Sequence, residues 1–412
     1  MSTSIQFASK RAAKRATQNM EMFRGVKLYQ QLENPVFLAA ATIVELFRSG
    51  TFALNGGHLA TLVLQQRLAQ AMEAGQDLVF ELGWGQAKRD AGRLKTPGSQ
   101  ADLAELIALG RLATIVSAAR LIANRPVSLR IISGGARFYE ALFVDPDRDQ
   151  TYNCQRASFI ELLGAGSAIY LDTINHYWTQ EEIKVRLVQA LGSDTLIVPT
   201  EEEVHFVLFN IDWYHILSNK IAPHGLLAPP ELISIYEESD EWQRSLLLRY
   251  LFYRLARPEA AAQTVLRGLD ARVLERSLAW MEMVARQSAQ KYKLLGQLTP
   301  RAHRNAEESP CPVPVTVVEK KAQPDIPALC LLGHRAGAGL PQHVTPFIND
   351  KGVLEFWPYM LIERSCHPVR MPVLKSGSGE IIRTSTQPLL MSALERDPTI
   401  KALMRIDMFD GL

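Results

Sequence analysis

Val127-Ser-Leu-Arg-Ile-Ile-Ser133, followed at once by Gly134-Gly135, is the stretch on which the reading of the fold turns. Large apolar and β-branched side chains crowd this short run, the composition of a buried strand, and the two glycines close it at a tight turn. Upstream, residues 102–124 place Leu103, Leu106, Ile107, Leu109, Leu112, Ile115 and Val116 on a helical period, until Arg125-Pro126 stops the helix. Downstream, short apolar runs at 168–171 and 195–198 read as buried strands and enclose a helix over 180–191. Strand and helix alternating through short linkers predict an α/β fold with a Rossmann-like, mostly parallel sheet.

The flanks add three further parts. Residues 1–77 form a helical extension, in which Asn34-Pro35 opens a helix with Val36, Ala39, Ala40, Ile43, Val44 and Phe47 on one period, ended by Gly50, and a second helix covers 58–74. The sheet begins within 78–200. Residues 201–298 read as a large helical subdomain, broken at Pro223, Pro229-Pro230 and Pro258 and rich in Trp213, Tyr214, Trp242, Tyr250, Phe252 and Trp280. Residues 299–412 open on an irregular proline-rich linker with Pro300, Pro310, Pro312, Pro314, Pro324 and Pro327. Two C-terminal β-hairpins follow, 343–348 with 353–361 around Asn349-Asp-Lys-Gly352, and 373–375 with 380–383 around Ser376-Gly-Ser-Gly379. Short helices are expected over 388–405.

The chain has 412 residues, a formal net charge of +2, 47% hydrophobic and 21% charged positions. That length can bury a large core without staples. So small a net charge argues against a dedicated nucleic-acid binder, whose phosphate affinity comes from uncompensated Lys and Arg. Cys154, Cys311, Cys330 and Cys366 form no CxxC pair, which indicates neither a disulfide framework nor structural zinc and fits reduced thiols in a cytoplasm. Lys10, Arg11, Lys14, Arg15, Arg24 and Lys27 make the N-terminus basic, as in a transit peptide or an amphipathic helix. Its continuation into a helical core pattern favours a solvated helix. The apolar run 35–47 is short for a bilayer and contains Glu45, so no membrane span is expected.

Chemistry concentrates in a few places. Gly83-Trp-Gly-Gln-Ala-Lys88-Arg89-Asp-Ala-Gly-Arg93-Leu-Lys95-Thr-Pro-Gly98 opens onto the helix that carries Asp102 and Glu105. Its glycines let backbone approach an anion that Lys88, Arg93 and Lys95 would neutralise, although its spacing is neither a P-loop nor a dinucleotide fingerprint and a solvated surface loop is the plainer reading. Asp102 and Glu105 suit acid–base work, or simply favour the helix dipole. Ser133-Gly134-Gly135-Ala-Arg137-Phe138 lies at a strand's carboxyl end, where open α/β sheets bind ligands, so Arg137 is placed to hold a carboxylate unless the segment is only a turn. Asp145, Asp147 and Asp149 lack the pattern of a calcium loop, and no metal site is predicted. Cys366-His367 is the local pair with haem-ligand chemistry, and His343 can titrate near neutral pH. No GxSxG elbow, Walker motif or kinase signature occurs.

In order along the chain, Lys88, Lys95, Asp102-Leu-Ala-Glu105, the helix with Leu109 and Leu112, the strand from Leu129 to Ser133, Gly134-Gly135-Ala-Arg137-Phe138, and Asp149 with Tyr152 resemble the isonitrile (isocyanide) synthases of the pyoverdine and dityrosine biosynthesis family. Met283-Val-Ala-Arg286 with Tyr292 and Leu295 is similar to that family's late helix, and Thr345-Pro-Phe347 with Asp350-Lys-Gly352 to its hairpin. The resemblance spans about residues 78–355. The family commonly has Ser-Asp-Gly where this chain has Ser133-Gly134-Gly135, and Trp-His where it has Phe347-Ile348, with His343 on the other side of that motif.

Family members turn the amino nitrogen of a free amino acid, such as tyrosine or tryptophan, into an isonitrile with ribulose 5-phosphate. For a divergent member the resemblance implies Lys88, Asp102 and Glu105 as catalytic candidates, to which His343 is added as a group able to titrate near neutral pH. Lys95, Arg93, Ser133, Arg137, Phe138 and Tyr152 are then candidates for holding an amino acid and a sugar phosphate, with no cofactor required. Two alternatives stay open. One is a haem-dependent amino-acid N-oxygenase, or an enzyme forming the N–N bond of a diazeniumdiolate for a siderophore, with Cys366 or His367 as axial ligand. The other is a non-catalytic interaction protein of a biosynthetic assembly. A homodimer is compatible with each.

Overall fold

The structure is a computed structural model that describes residues 34–49, 61–84, 101, 103–192, 197–240, 243–244, 247–248, 251, 254–255, 270–296, 298, 312–316, 326–329, 331–332, 344–348, 354–358, 374–375 and 381–382. Strands β1 (Leu78–Gly83), β2 (Val127–Ser133), β3 (Ile169–Thr173) and β4 (Val313–Val315) form one parallel sheet in the order β3-β2-β1-β4. β1 pairs with β2 from Leu78↔Val127 to Gly83↔Ile132, and β2 with β3 from Leu129↔Ile169 to Ser133↔Thr173. Chain order reverses between β1 and β4. The crevice beyond the carboxyl end of β1 is therefore a topological switch point, the place where such sheets take ligands.

This register sets Leu78, Phe80 and Leu82 beside Val127, Leu129 and Ile131 on one face. Helices α1 (Pro35–Arg48), α2 (Thr61–Glu73), α3 (Leu103–Ala123) and α5 (Pro146–Leu162) contribute the rest of that core, while α4 (Ala136–Leu142) leads away from β2. Each fully buried Leu or Phe contributes roughly 1.5–3 kcal/mol. α1 starts as its sequence predicts, with the Asn34 side chain accepting from the Val36 amide at 2.9 Å and Pro35 at a position that needs no donor. Phe47 of α1 meets Phe80 edge-on at 5.0 Å. α3 is long and apolar enough to cross a bilayer, but it is apolar on all sides because it lies in the core, against β2 and α1. The opposite face of the sheet carries Glu81, Ser128, Arg130 and Asp172, all half-buried.

A second core lies with the helices α6 (Gln180–Leu191), α7 (Glu201–Asn210), α8 (Trp213–Ser218), α9 (Pro230–Glu238) and α10 (Ala271–Leu295), packed with α4 around Trp178, Trp213, Tyr236 and Trp280. This is the helical subdomain expected from the sequence. Thr179 with Glu182 and Thr200 with Glu203 form capping boxes at the starts of α6 and α7. Both C-terminal hairpins are present as antiparallel pairs: β5 (Val344–Ile348) with β6 (Leu354–Pro358), and β7 (Leu374–Lys375) with β8 (Ile381–Ile382). The backbone of β5 runs beside α3.

Two readings need correction. The strand expected at 195–198 is not formed where the structure describes it: Ile197 and Val198 are irregular, and Val198 is 64% exposed. Pro199 and the Thr200 cap commit that segment to entering α7. The fourth strand comes instead from Val313–Val315, inside the segment expected to be irregular. Pro314 lacks an N–H, and β4 tolerates it at the edge of this sheet, paired with β1. The acids at 145–149 open α5, where the Asp145 side chain accepts from the Asp147 amide at 3.0 Å. Among the described residues no group of side chains could hold a metal ion. Lys88, Arg93, Lys95, Asp102, His343, Cys366, His367 and the helices expected at 388–405 lie outside the described residues.

Candidate active site

Trp84 follows β1 and extends its pairing by one step, its amide donating to the Ile132 carbonyl at 3.0 Å. It therefore stands next to Ser133 at the carboxyl edge of the sheet. From above, α3 supplies Glu105 in its first turn, and α5 supplies Tyr152 and Arg156, four residues apart and hence on one side of that helix. Trp84 Nε1 donates to the Tyr152 hydroxyl at 3.2 Å, and that hydroxyl donates to Glu105 Oε1 at 3.2 Å. The Arg156 guanidinium lies over the Tyr152 ring at 4.7 Å and over Trp84 at 5.5 Å. All four side chains are buried. One turn earlier on α5, Asp149 accepts from the Tyr139 hydroxyl at 2.8 Å.

Burial, and then the negative charge of Glu105, push the Tyr152 phenol well above its usual range, so it stays a donor at physiological pH. Burial, then the charge of Asp149, raises Tyr139 in the same direction. Burial lowers the Arg156 guanidinium, against the opposing pull of Tyr152, Asp149 and Glu105. The arrangement thus joins a buried carboxylate to a buried phenol that gives it a hydrogen bond.

Residues 85–100, which carry Lys88, Arg93 and Lys95, leave from buried Trp84 and return at buried Ala101. The Ala101 amide donates to Gln155 Oε1 at 2.6 Å, next to Arg156 on α5.

Ser133 is buried at the end of β2, and its Oγ has no hydrogen-bond partner. Gly135 adopts φ 46°, and a Cβ there would meet Asn175 Oδ1 at 2.3 Å and Thr173 Oγ1 at 2.6 Å. A Cβ on Gly134 would fall 1.8 Å from the Phe138 ring, so the ring occupies the space that a side chain at 134 would need. Phe138 stacks on Tyr292 of α10 at 5.7 Å, and Arg137, over the Phe138 ring at 5.5 Å, donates from Nη1 to the Leu298 carbonyl at 2.9 Å. Burial lowers the Arg137 guanidinium.

Of the residues singled out from the sequence, Glu105 and Tyr152 are thus in direct contact, with Ser133 beside them in the sheet. Arg137 and Phe138 belong to a different group of contacts, with the helical subdomain. Trp84 and Arg156 were missed, and Asp149, which carries part of the motif resemblance, was not paired with Tyr139. The available signal was the Tyr152-to-Arg156 spacing on the helix that Asp145-Pro146 opens.

No family model and no curated protein matches this chain. Among solved structures it is similar to the PvcA protein from Pseudomonas aeruginosa, at 14% identity over 79% of this chain and 89% of that one, with a TM-score of 0.44.

Proposed function

We propose that this chain is a biosynthetic enzyme that transforms the nitrogen of a free amino acid, by the isonitrile-forming chemistry that its motifs resemble and with ribulose 5-phosphate as the second substrate. The observation that carries the reading is the Trp84–Tyr152–Glu105 hydrogen-bonded chain, buried at the switch point of the sheet. Two residues that carry the motif resemblance, far apart in sequence, meet there as a hydrogen-bond acceptor and a donor. In this reading Glu105 takes up a proton during the reaction, and Tyr152 holds that carboxylate in place. Lys88, Arg93 and Lys95 neutralise the sugar phosphate, Asp102 and His343 are further acid–base groups, and Ser133 borders the amino acid. No haem is required. The test is consumption of each L-amino acid by purified protein with and without ribulose 5-phosphate. Wild type consumes one or a few of them only when both are present, and Glu105→Gln loses at least a hundredfold in rate, the scale of one acid–base group. Equal turnover by Glu105→Gln would remove Glu105 from the chemistry.

A further inference from the structure

Arg156 is an odd residue for its position. A fully buried guanidinium ordinarily satisfies its donors, because each charged N–H left unpaired away from water is costly. Here Nη2 donates to the Asn153 side-chain oxygen, a neutral partner, while Nε and Nη1 are buried with no hydrogen-bond partner. The faces of the group are taken by Tyr152 and Trp84. Its Nε and Nη1 edges are left without a hydrogen bond, with the carboxylates of Asp149 and Glu105 near enough to act on its charge. A second orphan stands close by in the sheet: buried Ser133 Oγ, at the β2 position next to Trp84, is also without a partner. Unpaired polar atoms thus gather at the carboxyl edge of a parallel sheet, at its switch point, where ligands of such sheets bind.

We propose that Arg156 is the carboxylate-binding residue of this site, its unpaired N–H edges receiving an oxygen of the substrate's carboxylate, with the Ser133 hydroxyl one strand away. The inference rests on the amino-acid reading above and sharpens it. It assigns the α-carboxylate to Arg156, whose Nε and Nη1 are both without a partner, rather than to Arg137, which donates from Nη1 to the Leu298 carbonyl and leaves Nε alone unpaired. Held over two rings, the guanidinium has a fixed plane, so it orients a carboxylate as well as attracting it.

The test follows the Arg156 Nε–H group by NMR in full-length protein labelled with 15N-arginine, in chloride-free buffer, with the resonance assigned by its loss in Arg156→Lys. The probes are sodium formate, each L-amino acid in turn, and tyramine as an amine without a carboxylate. Formate and at least one L-amino acid are expected to shift the resonance in a saturable way, and tyramine to leave it in place. If formate shifts it and no amino acid does, the carboxylate site stands and the amino-acid reading falls. If no carboxylate moves it, or tyramine moves it equally, the proposal is overturned. Arg156→Met, similar in length and free of donors, provides the second arm. Its thermal melt stays cooperative while its affinity for the bound amino acid falls at least tenfold, and unchanged affinity in a folded Arg156→Met protein also overturns the assignment.

Discussion

Tyr152 donates its hydroxyl to Glu105 across 3.2 Å, from one core helix to another, in a place where both side chains are fully buried. The same oxygen accepts from Trp84. One phenol therefore links β1, α3 and α5 at the carboxyl edge of the sheet, so its loss is felt by the fold as well as by the chemistry. Tyr152→Phe leaves the Trp84 N–H without its acceptor and Glu105 without that donor, and should destabilise the protein by about 1–3 kcal/mol. Urea unfolding measures it. An unchanged midpoint would show that the chain of hydrogen bonds is not maintained in solution.

The Gly-Gly turn gives a prediction with an internal control. Gly134→Ala forces a methyl into the Phe138 ring, and overpacking of this kind costs about 1–3 kcal/mol. Phe138→Ala in the same chain vacates that space, so the double variant should lose less than the sum of the two single losses. Gly135→Ala meets Asn175 and Thr173 instead, at a positive φ, and removing Phe138 should not relieve it. Thermal melts of these variants compare the two positions directly.

His224 makes stability depend on pH. Burial, with the nearby charge of Lys291, lowers its imidazole from 6.5 to about 4, and its Nε2 lies 2.8 Å from Ser288 Oγ. The folded state thus resists a proton that the unfolded chain accepts. The contribution of neutral His224 is complete above pH 6.5 and is lost progressively as pH falls from 6.5 to about 4. Because the ring keeps partial access to solvent, a loss on the order of 1–2 kcal/mol is expected. Urea midpoints recorded from pH 7.5 to 4 should fall less steeply for His224→Gln than for wild type, and parallel curves would reject the assignment.

Absorbance separates the two oxidative and non-oxidative readings of the motifs. With isonitrile-type chemistry, protein purified with haem in the growth medium carries no Soret band in proportion to chain. A Soret band that scales with protein and is altered in Cys366→Ala or His367→Ala would favour the haem alternative.

Much of the architecture was legible in local pattern. The β-branched run ending in Gly134-Gly135 became β2, and the strands expected on either side of Asn-Asp-Lys-Gly and of Ser-Gly-Ser-Gly pair as two hairpins, because alternation and turn chemistry act over a few residues. The edge strand at 313–315 was not legible. Its prolines read as linker, and only its place at the sheet edge, a tertiary fact, makes Pro314 acceptable. Ile197 and Val198 failed in the opposite direction, having strand composition but leading through Pro199 into the Thr200 cap of α7. In the site, Glu105 and Tyr152 were found through motif order. Arg156 was not, since a lone Arg on a polar helix resembles any solvated cation until the helix is seen to pack that side against Trp84.

The most direct measurement of the central claim uses amino acids labelled with 15N at the α-nitrogen. They are incubated with the protein and ribulose 5-phosphate, and products are followed by mass spectrometry and 15N NMR. The account predicts a product that keeps the label, has lost the amine character of its nitrogen, and disappears with Glu105→Gln. Recovery of every labelled amino acid unchanged, under conditions where the protein is folded and ribulose 5-phosphate is present, would contradict it.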